Sequence, residues 1–237
     1  FSLLLISFSS CQESSTEDIS PESGISLELA EFRKKQISDI VYKLDFEIPK
    51  NLEDSIPAVL ELDLIIHDNS QPLILDFNVD KSHLKTIKTN GKEVSIQLVN
   101  EHIIIPKEHL NKGANTIDIN FIAGEQSLNR NLDFLYTLLV PDRASTLFPC
   151  FDQPNLKANY ILNITAPKEW EVLCGAPELN KIEKGDFIEH QFDKSDLMST
   201  YLFSFVAGKF NVDKQKIANL DMTMLYRETD SIKVKNS

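Results

Sequence analysis

Phe148-Pro149-Cys150-Phe151-Asp152-Gln153-Pro154, running on into Asn155-Leu156-Lys157-Ala158, is the stretch whose reading decides the fold. Pro149 and Pro154 each lack a backbone donor and fix φ, which forbids both a helix and a central strand here. Phe148 and Phe151 carry large apolar rings that need burial. A segment that joins no regular element and still has two rings to bury reads as a rigid, half-buried loop fixed to a core. Asp152, just ahead of Gln153-Pro154, has the short acceptor side chain that caps backbone N–H groups or opens a turn. Nothing between Phe148 and Pro154 has nucleophile–base or metal-ligand spacing. Phe148, Pro149, Cys150, Phe151, Asp152, Gln153 and Pro154 are therefore expected to form a structural signature with no chemistry of its own.

Around this loop the pattern is that of strands. Val59-Leu60-Glu61-Leu62-Asp63-Leu64-Ile65-Ile66, Leu73-Ile74-Leu75-Asp76-Phe77 and Asn115-Thr116-Ile117-Asp118-Ile119-Asn120-Phe121 have the alternating, β-branched character of half-buried strands. Asn90-Gly91 marks a hairpin between strands at 84–87 and 94–98. His102-Ile103-Ile104-Ile105 continues the set; Pro106 opens a short helical turn through Leu110, which Gly113 ends. Gly185-Asp186 turns the chain between Ile182 and Phe187. No helix longer than one near residues 28–37 is evident. The fold class expected is all-β, an antiparallel β-sandwich or saddle-shaped sheet with one short N-terminal helix.

The signature loop resembles a segment of the aminopeptidase N (alanyl aminopeptidase) family, in which Phe-Pro-Cys-Phe-Asp-Glu-Pro-x-x-Lys-Ala stands just before a strand of the N-terminal β-domain; Gln153 occupies the position where Glu is usual. The resemblance extends in order through three further segments. Leu27 to Pro49 resembles the family's opening helix and first long strand, Asn159 to Pro167 the strand after the signature, and Met198 to Gly208 the closing strand. It implies a β-domain over 25–212 and the start of a catalytic domain at 213–237, truncated at Ser237. It also implies a parent enzyme that removes N-terminal residues from peptides with free N-termini, using one zinc ion held in the catalytic domain.

This chain carries neither His-Glu-x-x-His, the helical pair that binds such a metal with its general base, nor a Gly-x-Met-Glu-Asn motif. Its histidines, His67, His83, His102, His109 and His190, read as strand-edge or loop residues, and Pro106 breaks any helix that would align His102 with His109. The family often places a Gln or Glu eight positions before the signature Phe to help bind the substrate amine; here that position is Val140, which accepts no hydrogen bond, and Asp133 and Asp142 are out of register. No catalytic, metal-binding or substrate-binding residue is therefore assigned within the chain. By itself the chain is expected to be inactive and to bind no zinc.

At 237 residues with 42% hydrophobic and 25% charged content the chain has the make-up of an ordinary globular protein. A net charge of -12 argues against nucleic acid, whose phosphates demand basic patches. Phe1 to Ser10 form a short apolar run ending in small residues before Cys11, which reads as a truncated lipoprotein signal peptide with Cys11 as the lipid attachment residue; an ordinary cleaved signal is the alternative. Gln12 to Gly24 is rich in Ser, Glu, Asp and Pro, so residues 11–24 read as a disordered tether from a membrane surface. A lipid-anchored place in a bacterial cell envelope follows. Cys150 and Cys174 both read as small buried hydrophobes, with a disulfide permitted but not required. Trp170 reads as core or interface.

Two functional classes remain. One is the N-terminal scaffold of a zinc aminopeptidase, packed on its own catalytic domain and walling part of the cleft. The other is a noncatalytic β-sandwich binding module of a surface lipoprotein.

Overall fold

Every second residue from Ile40 to Phe46 is buried, while Val41, Lys43, Asp45 and Glu47 remain at least partly exposed, the period of a strand with one wet face. A computed structural model, describing residues 21–218, 220–229 and 233, extends this pattern through an all-β chain with one α-helix. Helix α1 (Leu27–Gln36) leads into β1 (Ile37–Glu47), β2 (Pro57–Ile66), β3 (Leu73–Asp76), β4 (Leu84–Thr89), β5 (Lys92–Val94), β6 (Leu98–Val99), β7 (His102–Ile105) and β8 (Gly113–Ile122). Then follow β9 (Leu128–Arg130), β10 (Phe134–Thr137), β11 (Asn159–Pro167), β12 (Glu171–Cys174), β13 (Glu178–Lys184), β14 (Phe187–Phe192), β15 (Phe205–Gly208), β16 (Asn211–Ile217) and β17 (Leu220–Tyr226).

Eight strands in the order β13-β14-β11-β1-β2-β8-β4-β5 make one layer. Its inner face presents Tyr42, Leu60, Leu62, Ile117, Ile119 and Ile164, all fully buried. Smaller sheets, β3-β7-β6 and β12-β15-β10-β9, supply the opposing side. Aromatic rings fill the space between. Phe77, just past β3, meets Phe121 of β8 edge-on at 5.9 Å, and Phe46 of β1 meets Phe205 of β15 at 5.3 Å. Tyr42, Tyr160 and Phe203 stack in a row at 5.2 and 4.5 Å. Trp170 is buried immediately before β12. The expected sandwich of sheets is thus present.

Several local expectations are met. Asn90 and Gly91 have φ of 53° and 78°, the paired positive values of a type I′ turn, and Thr89 faces Lys92 across it. Gly185, at φ 65°, turns β13 into β14, with Lys184 opposite Phe187. Asp39, at φ 53°, sits where the β1–β2 register slips; this bulge puts Ile37 and Ile40, three residues apart, on the same buried face.

Other details differ. β1 pairs with β11 in parallel, from Val41 opposite Asn159 to Glu47 opposite Thr165. A parallel pair needs a long crossover, and here the crossover is the whole first half of the sandwich, signature loop included, which no local pattern reports. Gly113 opens β8 at φ 101° and does not end the helical turn, which closes at Leu110. The strand expected over 94–98 is broken, since β5 stops at Val94 and β6 begins at Leu98. The segment 198–208 splits into a 3-10 turn, Thr200–Leu202, and β15, because Ser199 and Thr200 bond to Pro154 and Asp152 of the signature loop and not to a neighbouring strand.

The expected domain boundary between 212 and 213 falls within β16, which among the described residues pairs only with β17. Cys11, the expected signal peptide and residues 12–20 of the tether lie outside the described residues; residues 21–24, expected to be disordered with them, are instead held by Asn100, Glu101 and His102. No helix among the described residues is long and apolar enough to cross a membrane.

Candidate functional site

Helix α1 is mostly polar, capped by the Ser26 hydroxyl, which accepts from Leu29 N at 3.1 Å. Its buried face is unusual, because it includes Leu29, Gln36 and the whole of Arg33, which is 0% exposed. An arginine that deep needs an acid. Asp76, the last residue of β3, supplies it: Arg33 Nη1 donates to Oδ2 at 2.9 Å and Nη2 to Oδ1 at 2.5 Å. The same carboxylate accepts from Asp152 N at 2.8 Å, and its Oδ1 stands 2.8 Å from Nδ1 of His102, the residue paired with Asp76 in the β3–β7 ladder.

The signature loop closes on this pair. Cys150 and Asp76 exchange backbone hydrogen bonds at 2.7 and 3.0 Å. Asp152 accepts from Ser145 N at 2.9 Å and from Thr200 Oγ1 at 3.0 Å. Gln153 accepts from Arg33 Nη1 at 3.5 Å and donates to the Ala30 carbonyl of α1 at 3.0 Å. Phe151 N donates to Tyr42 Oη of β1 at 2.9 Å, and the Arg33 guanidinium lies 5.6 Å from the Phe151 ring centre. Phe148, Cys150 and Phe151 are fully buried and Asp152 and Gln153 nearly so. The loop is therefore deeper than the half-buried expectation, because its polar atoms find protein partners in Arg33, Tyr42, Asp76, Ser145 and Thr200.

A cleft of about 650 Å³ opens above this network, lined among others by Ser26, Asp76, His102, Asp142, Asp152 and Gln153. The two buried carboxylates differ in their electrostatics. Burial pushes Asp76 up, but the Arg33 charge and the bonds from His102, Arg33 and Asp152 hold it below the usual carboxylate range. Burial raises Asp152, and the Ser145 and Thr200 bonds do not fully offset it. Such a split can mark an acid–base pair. Here it does not, because four donors occupy the Asp76 oxygens and both Asp152 oxygens are engaged. The network is a brace joining α1, β3, β7 and the signature loop.

Other reactive groups are equally committed. Cys150 and Cys174 are free thiols; burial pushes Cys150 well up and Cys174 up to about 11, so neither offers a thiolate nucleophile near neutral pH. Ser38 Oγ touches both Asp39 Oδ2 and His67 Nε2 at 2.9 Å. Its single hydrogen goes to the carboxylate, so Nε2 of His67 is the donor and does not take the serine proton. His83 Nδ1 contacts the Ile122 carbonyl, His109 sits in a 3-10 turn, and burial lowers His190, whose Nδ1 meets Glu178. His102 and His190 are corrections to the strand-edge or loop reading: His102 begins the central strand of the β3-β7-β6 sheet and is 1% exposed, and His190 lies within β14, between β13 and β11, at 0%. No group of three or more His, Cys, Asp or Glu among the described residues could hold a metal ion. Val140 is 63% exposed, and Asp142 reaches the cleft.

Sequence reasoning placed Asp152 in a capping role but missed Arg33 and Asp76. The available signal was Asp76 closing the wholly apolar run Leu73-Ile74-Leu75. Such an acid at a buried strand end calls for a distant cation.

The model of the Peptidase M1 N-terminal domain matches residues 40–202. Over 76 residues the chain is 41% identical to a glutamyl aminopeptidase of Homo sapiens, covering 32% of this chain and 8% of that protein. It is 28% identical over 138 residues to the Sulfurisphaera tokodaii protein named "Probable aminopeptidase 1", covering 54% of this chain and 17% of that one. Its fold is that of part of an M1 zinc metallopeptidase from Deinococcus radiodurans, with a TM-score of 0.64 at 14% identity over 77% of this chain and 44% of the other. The matches span less than a fifth of the length of these two curated relatives.

Proposed function

The chain belongs to the Peptidase M1 N-terminal domain family, and from that premise we propose that it is the scaffold domain of a zinc-dependent aminopeptidase, packing on a catalytic domain and walling part of its cleft. The family match across 40–202 carries this reading. Two features of the chain support it. The carboxylate oxygens of its buried cluster, Asp76 and Asp152, are all engaged by donors, so peptide-bond chemistry would have to come from residues outside those described. Among the described residues the β16–β17 ribbon has no further strand partner, and it exposes Ile217 and Met222. A two-stranded ribbon is marginal alone, which fits a surface completed by a neighbouring domain.

The described residues do not fit a zinc ion: no group of three or more His, Cys, Asp or Glu among them could hold a metal, and His67, His83, His102 and His190 are each engaged at separate places. The metal is accordingly assigned to the catalytic domain, and the substrates are peptides with free N-termini. The full-length protein is expected to hydrolyse aminoacyl anilides and to lose that activity to a chelator, with zinc restoring it. Its reading frame beyond Ser237 should contain a Gly-x-Met-Glu-Asn-like motif followed by His-Glu-x-x-His. A complete frame lacking both, or chelator-resistant hydrolysis, would leave the noncatalytic binding module as the better reading.

The proposal includes an envelope location through a lipid on Cys11, supported by the apolar run ending in Ser9-Ser10 before it and the polar tether after it. One acyl chain binds a bilayer only marginally and two anchor it. Cys11→Ser in the complete precursor is expected to shift the protein from the membrane to the soluble fraction on ultracentrifugation. Retention in the membrane pellet would count against lipidation.

A further inference from the structure

Three consecutive residues at the β6–β7 turn grip the segment that leads into α1. Asn100 Nδ2 donates to the Pro21 carbonyl at 3.1 Å. Glu101 Oε2 accepts from Ser23 Oγ at 2.9 Å and from Gly24 N at 3.3 Å. His102 Nε2 stands 3.0 Å from the carbonyl oxygens of both Glu22 and Gly24. Residues 21–24 thus form a strap, and Gly24, Ser26, Glu101 and His102 all line the cleft above the brace.

The protons on His102 follow from its partners. Nδ1 faces Asp76 Oδ1 at 2.8 Å, and Asp76 is ionised because Arg33 holds both of its oxygens. Ionised carboxylates and carbonyls only accept. Each ring nitrogen must therefore carry a hydrogen, and His102 is an imidazolium. Were it neutral with Nδ1–H kept on Asp76, a bare Nε2 lone pair would point at two carbonyl oxygens.

We propose that His102 is a pH-operated catch that tightens the 21–24 strap at the rim of the cleft while protonated, and that losing its proton leaves the strap on the Asn100 and Glu101 bonds alone and loosens it over the cleft towards Asp76 and the signature loop. The charged groups acting on the ring are Asp76 on β3 and Arg33 on α1, and Glu101 of the turn, Asp142, and Asp152 of the signature loop line the same cleft; Glu22 meets the ring only through its backbone carbonyl. Burial disfavours the charge, but the hydrogen bond and negative charge of Asp76 outweigh burial and the repulsion of Arg33, so the ring titrates above its ordinary value of about 6.5. The His102 share of the grip is complete below about pH 6.5 and is lost as pH rises through the raised folded-state value.

The test is hydrogen exchange on the full-length protein across residues 21–30, from about pH 6 to about pH 9, corrected for the chemical exchange rate and paired with an NMR titration of the His102 ring. Protection of the strap is expected to fall about tenfold or more with the midpoint of the ring titration. In His102→Gln, which carries no titrating charge, protection should become independent of pH. Glu101→Gln should lower protection at every pH while keeping the step, which separates a weakened clamp from a lost catch. Constant protection in the wild type, a ring titrating below about 6.5, or a step persisting in His102→Gln would overturn the proposal.

Discussion

Asp76→Asn is expected to lower the unfolding free energy by about 3–5 kcal/mol, the cost of leaving a buried charge without its partner. The substitution keeps the shape and removes the charge. Arg33 cannot shed its proton, and at 0% exposure it cannot reach water. The new amide nitrogen would also face a donor, whether Arg33, His102 or the Asp152 N–H. Against a total stability of about 5–15 kcal/mol, a large share is lost, and urea denaturation at neutral pH would show it as a shifted midpoint. Adding Arg33→Met should recover part of the loss, since the uncompensated charge goes, but the Asp152 N–H would still lack its carboxylate. A loss below about 1 kcal/mol in the single variant would show that the brace is not holding the fold.

The same carboxylate sets an acid limit. Its folded-state pKa is depressed, so its contribution is present above the unfolded value of about 3.9 and disappears as pH falls through the folded one.

How much of this was legible in the sequence depends on the range of the interaction that fixed each feature. The Asn90-Gly91 turn could be read because its positive φ angles are a property of those two residues. β2 and β8 could be read because one buried face imposes a period of two along each strand. The parallel β1–β11 pair could not, since its partners lie more than a hundred residues apart and nothing in either strand names the other. The splitting of 198–208 was hidden for a similar reason: Ser199 and Thr200 answer to the signature loop, and their strand-like neighbours do not reveal it. Within the candidate site, burial of Phe148 and Phe151 followed from chemistry alone. The Arg33–Asp76 pair did not, because Arg33 sits in a helix that is mostly polar and reads as solvated, and nothing near the apolar run before Asp76 names a partner 43 residues away. His102 misled in the same way, as a histidine opening a strand is usually at its wet end.

Phe148→Ala is expected to cost about 3–5 kcal/mol, the range for emptying a buried phenylalanine site that cannot collapse. The ring is wedged edge-on against Tyr42 at 6.0 Å and Phe203 at 5.7 Å. Those two rings stack on opposite faces of Tyr160, so the three partners are already spaced by one another and cannot close the gap. Tyr42 also holds the signature loop through its bond from Phe151 N, so any shift of Tyr42 loosens the loop as well as the core. Phe148→Leu, which keeps most of the volume, should cost less than about 1.5 kcal/mol. The comparison of the two midpoints in chemical denaturation isolates the cavity from the loss of aromatic character. If Phe148→Ala moved stability by less than about 0.5 kcal/mol, the range of surface substitutions, the signature loop would have to be a segment that leaves the core readily, and its burial could not be what fixes it between the layers.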